Sequence, residues 1–240
     1  IYLDADGKPN ADKSRNSALG IGVPGTVAGL ALALERYGSG KFTLAQILKP
    51  AIELARDGFI VTDDTADTLS DMYRRMSRWP NSARTFSRTD GTPLHEGDRL
   101  IQRDLAATIS AIAEQGPRGF YEGPVAEKLV TAIRDAGGIM TVDDLKSYSA
   151  VIRTPVRGTY RGYDIVSMPQ PSCGGIVLLE ILNILEGFPM SDMKQGSAAS
   201  LHIMIEAMKR AYADRARYLG DPAFVSVPTL ALIAKDYAAR

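Results

Sequence analysis

Cys173 is the only cysteine in the chain. It lies in Ser167-Met168-Pro169-Gln170-Pro171-Ser172-Cys173-Gly174-Gly175-Ile176, a small-residue loop that runs into an apolar segment. A cysteine nucleophile needs a group that stabilises its thiolate, usually a histidine and often a helix N-terminus. Gly174-Gly175 meets the second need by opening a predicted helix. For the first there are only His95, near a predicted turn, and His202, on a predicted amphipathic helix. With no base and no group to orient one, the sequence favours Cys173 as a small residue filling a tight loop. The two glycines permit a sharp turn and close packing at the helix start. Exposed amides there could hold an anion or a developing oxyanion. The lysine and hydroxyl of a phosphate loop do not follow, so the phosphate signal is weak.

His202 and Glu206 stand four apart, a helical spacing that can present two ligands to one metal. His202-Ile203-Met204-Ile205-Glu206 lacks the glutamate and second histidine of the zinc-protease motif, and the two read as polar residues beside an apolar stripe. Asp221 before Pro222 is a turn former, and Arg215 and Arg217 suit the last turn of a helix. Asp214 and Arg215 could pair to hold that helix end against a neighbour, a structural role. By residue chemistry alone no nucleophile, base and orienter converge, and the expectation is no catalytic, cofactor-binding or metal-binding residue in this chain.

These residues are carried by a chain of 240 residues with 28 basic and 28 acidic side chains. Balanced charge gives no long-range attraction to nucleic acid or anionic membrane. No apolar run is long enough to span a bilayer. One cysteine excludes an intrachain disulfide and a multi-cysteine zinc site. Ile1-Tyr2-Leu3-Asp4-Ala5-Asp6-Gly7 has no signal-peptide character and reads as the interior of a longer protein, which decides no compartment.

Helical patterning covers residues 27–37, with Thr26 as a possible cap and Gly38 as the stop. A second helix opens at Thr43, is expected to kink at Pro50 and stops at Gly58. A third runs from Asp63 to about Arg78, its carboxylates favouring the positive helix start. Asp90-Gly91 predicts a hairpin turn within residues 85–100. Helices are predicted over 104–113, 124–136 and 142–148. Residues 154–160 and 163–168 are the best strands, joined by Arg161-Gly162. Residues 176–185 form a helix apolar enough to be buried on most sides. In residues 197–219, Leu201, Ile205, Met208 and Tyr212 share one face. Residues 230–239 begin a last helix. The composition of elements is helix-rich with at least one central hairpin.

Arg161-Gly162-Tyr163 followed by Met168-Pro169-Gln170-Pro171-Ser172-Cys173-Gly174-Gly175 resembles a segment of the gamma-glutamyltranspeptidase family, where a proline-rich stretch commonly leads to Ser-Ser-Gly-Gly. Four further stretches agree in the same order. They are Gly22-Val23-Pro24-Gly25-Thr26-Val27-Ala28-Gly29, then Pro50-Ala51-Ile52 through Ala55-Arg56-Asp57-Gly58-Phe59. Gly116-Pro117 to Phe120-Tyr121 and Ala213-Asp214-Arg215 to Leu219-Gly220-Asp221-Pro222 complete the set. The resemblance implies an α+β fold, the four-layer αββα sandwich of N-terminal-nucleophile hydrolases. Residues 1–240 would be a single-domain fragment, the helix-rich central part of the large subunit.

In that family a precursor cuts itself into two subunits, and the threonine at the start of the small subunit attacks a gamma-glutamyl amide such as glutathione. The acyl group then passes to water or to an amino acid or peptide acceptor, with no cofactor. The implied partners are therefore the small subunit and a gamma-glutamyl substrate, and the implied location is periplasmic or extracellular. Neither that threonine nor the large-subunit arginine that binds the substrate carboxylate maps onto this chain, and Cys173 stands where the family often has a serine that is not the nucleophile. Rival readings are a cephalosporin or glutaryl acylase of the same superfamily and a non-catalytic scaffold derived from the fold.

Overall fold

A computed structural model describes residues 1–240 and divides into two units, Ile1–Val151 and Ile152–Arg240. The first holds helices α1 (Ala11–Arg15), α2 (Thr26–Tyr37) and α3 (Leu44–Asp57), then strand β1 (Phe59–Ile60), α4 (Asp63–Met76) and α5 (Pro80–Phe86). Strand β2 (Arg99–Leu100) and helices α6 (Arg103–Gln115), α7 (Arg118–Tyr121), α8 (Gly123–Asp135) and α9 (Val142–Lys146) follow.

Local chemistry explains most of these boundaries. Thr43 and Gln46 form a reciprocal capping box at the start of α3. That helix continues through Pro50 as one element and ends at Gly58, whose φ of +80° suits glycine. α4 starts with Thr62 as N-cap and Asp63 and Asp64 in its first turn. It stops at Met76, short of the expected Arg78, because Pro80 begins a separate helix at a position where a missing N–H costs nothing.

Thr26 does not cap α2. The N-cap is Gly25, and a Cβ there would lie 2.3 Å from Tyr148 Oη, so no side chain fits. Tyr121 supplies the missing acceptor from across the fold: its hydroxyl accepts from Ala28 N at 3.2 Å and donates to Pro24 O at 2.6 Å. One phenol thereby satisfies an orphan first-turn amide and a loop carbonyl. Tyr121 is buried in the main core of this unit with Ala126, Val130, Ile133, Met140 and Leu145.

The turn at Asp90-Gly91 forms as expected, with Asp90 Oδ1 accepting from Thr92 N at 2.9 Å and Gly91 at φ +83°. Its flanks make only a single Ser87–Pro93 bridge, since the preceding residues are helical in α5. The sheet of this unit is instead the short antiparallel pair β1–β2, Phe59 opposite Leu100, which the sequence did not signal.

The second unit is a hairpin backed by helices. Strands β3 (Val156–Tyr160) and β4 (Tyr163–Ser167) pair antiparallel from Tyr160–Tyr163 to Val156–Ser167. Arg161 and Gly162 have φ of +48° and +85°, the two positive values that a type I′ loop requires. Helices α10 (Gly174–Glu186), α11 (Ala198–Tyr218), α12 (Thr229–Leu232) and α13 (Lys235–Ala238) complete it. α10 lies on the hairpin, burying Ile176 and Leu179 with Val156 and Leu232. Gly158 admits this contact, because a Cβ there would stand 2.7 Å from Leu179 Cδ2.

The helices α11 and α12–α13 add detail to the expected pattern. Leu201, Ile205, Met208 and Tyr212 do share a face of α11, but that face is exposed; Ser200, Ala207 and Ala211 are the buried residues. Small side chains let α11 approach α10 closely, so tight backbone packing outweighs the area offered by the larger residues. The last predicted helix is split into α12 and α13. At the break, Ile233 O accepts from the buried Asn183 Nδ2 at 2.8 Å, which draws that carbonyl to α10. The whole is α+β and helix-rich, and no helix is long and apolar enough to cross a membrane.

Candidate functional site

Cys173 is half-buried and occupies the N-cap of α10 without capping it through its side chain. Its Sγ accepts from Arg215 Nε at 3.1 Å, and no histidine hydrogen-bonds to it. A thiol held by a guanidinium has no group here that can take its proton, so the arrangement does not make a nucleophile–base pair. Arg215 also stands over the Tyr212 ring at 5.7 Å, which orients the guanidinium. Arg215 therefore joins α11 to the start of α10.

The glycines behind Cys173 have different roles. A Cβ at Gly175 would lie 2.1 Å from Met168 O and 2.7 Å from Val156 Cγ2, so the glycine is required by close packing. Gly174 has room, and its amide donates to Ser172 Oγ at 3.3 Å. That bond occupies one of the helix-start amides that an anion would use.

His202 and Glu206 are not brought together as ligands. Glu206 accepts from Lys209 Nζ at 2.7 Å, and this bond holds its carboxyl below the usual range. No cluster of three or more histidine, cysteine, aspartate or glutamate residues in the chain could hold a metal ion. Asp221 acts as the expected turn former: its Oδ1 accepts from Ala223 N at 3.0 Å and its carbonyl from Phe224 N and Val225 N.

Asp214 and Arg215, expected as a possible pair, diverge. Arg215 goes to Cys173, whereas Asp214 Oδ2 accepts from Tyr237 Oη at 2.6 Å. This bond to a carboxylate pushes the Tyr237 phenol up to about 12, so it remains a donor. Asp214 also neighbours Glu180 of α10, which is only 2% exposed. Burial, and then the neighbouring Asp214 carboxyl, raise Glu180 to about 7. The sequence reading missed Glu180. Its signal was available: it is the one charged residue in the apolar run from Ile176 to Leu185.

The family model described as Gamma-glutamyltranspeptidase matches residues 1–240. The glutathione hydrolase proenzyme of Escherichia coli is 48% identical over 238 residues, a match covering 99% of this chain and 41% of that protein. The acylase ACY 1 proenzyme of Pseudomonas sp. (strain V22) is 40% identical, covering 98% of this chain and 42% of the proenzyme. The crystal structure of Helicobacter pylori gamma-glutamyltranspeptidase superposes with a TM-score of 0.94 at 42% identity. That match covers 99% of this chain and 68% of the other. The chain thus spans about two fifths of the length of the curated relatives it matches. Agreement of sequence and fold along its whole length places it: the chain belongs to the gamma-glutamyltranspeptidase family.

Proposed function

We propose that this chain is the central part of the large subunit of an enzyme that cleaves gamma-glutamyl amides such as glutathione. The observation that carries the reading is the family match over residues 1–240, supported by 48% identity to a glutathione hydrolase proenzyme. The reacting group is assigned to the partner, a small subunit cut from the same precursor, whose leading threonine attacks the gamma-carbonyl carbon. The amine leaves with a proton, and water or an acceptor amine then attacks the resulting ester and releases the threonine hydroxyl. In this division of labour the present chain supplies scaffold: its helices and the β3–β4 hairpin form part of a sandwich that the small subunit completes. A two-stranded hairpin is marginal alone and gains from further strands, which supports that reading. A periplasmic or extracellular location follows from family habit and is part of the proposal.

A second reading has its own observation, the 40% identity to an acylase proenzyme. The two separate by substrate. The full-length precursor, expressed and allowed to process itself, is offered a gamma-glutamyl anilide and a glutaryl amide at equal concentration. The proposal expects turnover of the gamma-glutamyl compound and its acceleration by an acceptor dipeptide. Preference for the glutaryl amide would favour the acylase. A precursor that neither cleaves itself nor turns over either compound would favour a non-catalytic scaffold.

A further inference from the structure

Glu180 occupies a place that an ionised carboxylate tolerates poorly. It lies on the face of α10 that packs on α11, is 2% exposed, and its Oε2 has no hydrogen-bond partner. A buried charge without a donor or cation is costly, and the usual resolution is neutralisation. The groups that face it decide how. From α11 come Asp214 and Arg210, which line the same hollow of about 560 Å³ as Glu180, Asp214 as its neighbouring carboxyl. From α13 and the residues after it come Tyr237 and Arg240. Neither arginine is within ion-pair distance of Glu180 or Asp214. Tyr237 donates its single proton to Asp214 Oδ2. No donor is left for the contact between the two carboxyls except a proton on one of them.

We infer that Glu180 and Asp214 share one proton, Glu180 as the acid that donates and Asp214 as the carboxylate that accepts from both Glu180 and Tyr237. The pair is a proton-binding clasp that joins α10, α11 and α13. The half-exposed Asp214 already accepts from the Tyr237 hydroxyl, and the buried Glu180, the more enclosed of the two, is the one that keeps the proton. Taking that proton away places two negative charges side by side with one of them buried, and the clasp becomes repulsive.

Glu180 titrates at 4.5 when free and at about 7 in the fold, so the folded state holds the extra proton in that window. The clasp's contribution is complete below 4.5, declines as pH rises, and is lost once pH has passed about 7. Glutamine at 180 reproduces the donor without the titration.

The test is thermal unfolding of the full-length protein against pH for wild type and Glu180→Gln. The two are expected to melt together at the acid end of the window, with the variant melting several degrees higher by about pH 8. Parallel profiles across the window, or a variant that melts lower throughout, would overturn the clasp. Infrared spectroscopy gives a reading that survives if the variant folds poorly. Wild type should show a protonated-carboxyl C=O band below neutrality that disappears with a midpoint near 7, and Asp214→Asn should move that midpoint toward the ordinary carboxyl range. A missing band, or a midpoint that Asp214→Asn leaves in place, contradicts proton sharing.

Discussion

Cys173 and Gly175 are two residues apart and make opposite demands on substitution. Serine in place of Cys173 keeps a small acceptor for Arg215 Nε in a half-buried site. Cys173→Ser is therefore expected to change stability by less than about 1 kcal/mol and to leave the activity of the full-length enzyme within a few-fold of wild type. Unfolding curves and initial rates check this, and a loss of activity by orders of magnitude in a normally folded variant would restore Cys173 as a catalytic candidate. Gly175→Ala instead places a methyl group on the Met168 carbonyl. The expected cost is about 3 kcal/mol or more, because backbone on both sides of the contact must move. The sequence made the small-residue loop and the absence of a base for Cys173 legible. Partner choice was less so. Asp214 and Arg215 are neighbours in the chain, yet successive helix residues point about 100° apart and find different partners. Glu180 was hidden because a single acid in an apolar run looks like a solvent-facing position until the packing of α11 shows that it is enclosed.

The elements whose ends are set by their own residues were the readable ones. The Thr43–Gln46 box, the Asp63-Asp64 start, the Gly58 stop and the Arg161-Gly162 turn all act through neighbours in sequence. Those set from a distance were not. Gly25 has no capping side chain because Tyr148 fills its space, and the cap comes from Tyr121, 93 residues away from Ala28. Tyr121→Phe removes an acceptor for Ala28 N and a donor for Pro24 O in one step, at an expected cost of about 1–3 kcal/mol. Denaturant unfolding should show it as a lower midpoint with an unchanged slope; a neutral result would mean that the loop at Pro24 rearranges freely and that the phenol is no anchor. Which face of α11 is buried is likewise set from a distance. Periodicity located the stripe of Leu201, Ile205, Met208 and Tyr212, but whether the large or the small residues face α10 depends on how closely two backbones approach.

At the scale of the whole molecule, the exposed stripe on α11 joins other uncovered apolar residues. Val166 and Met168 at the hairpin are 52% and 64% exposed, and Leu178 on α10 is 43% exposed. Large apolar side chains left uncovered in this way invite association. The β3–β4 hairpin also has outer backbone edges that can template pairing, although Lys235 Nζ covers Thr159 O at 2.6 Å. The isolated chain is therefore expected to be oligomeric or poorly soluble, and co-expression with the rest of its precursor to give a compact complex. Size-exclusion chromatography with light scattering distinguishes these outcomes, and a monodisperse, cooperatively melting monomer would favour a self-sufficient scaffold. The central claim, that this chain is the supporting part of a gamma-glutamyl enzyme whose nucleophile is elsewhere, is tested most directly by turnover of a chromogenic gamma-glutamyl anilide. The chain of residues 1–240 is assayed alone and then co-expressed with the remainder of the precursor. No product above buffer from the chain alone, and steady turnover from the complex, is the predicted result. Turnover by the chain alone that survives repurification, or an inactive complex that has processed itself correctly, would contradict it.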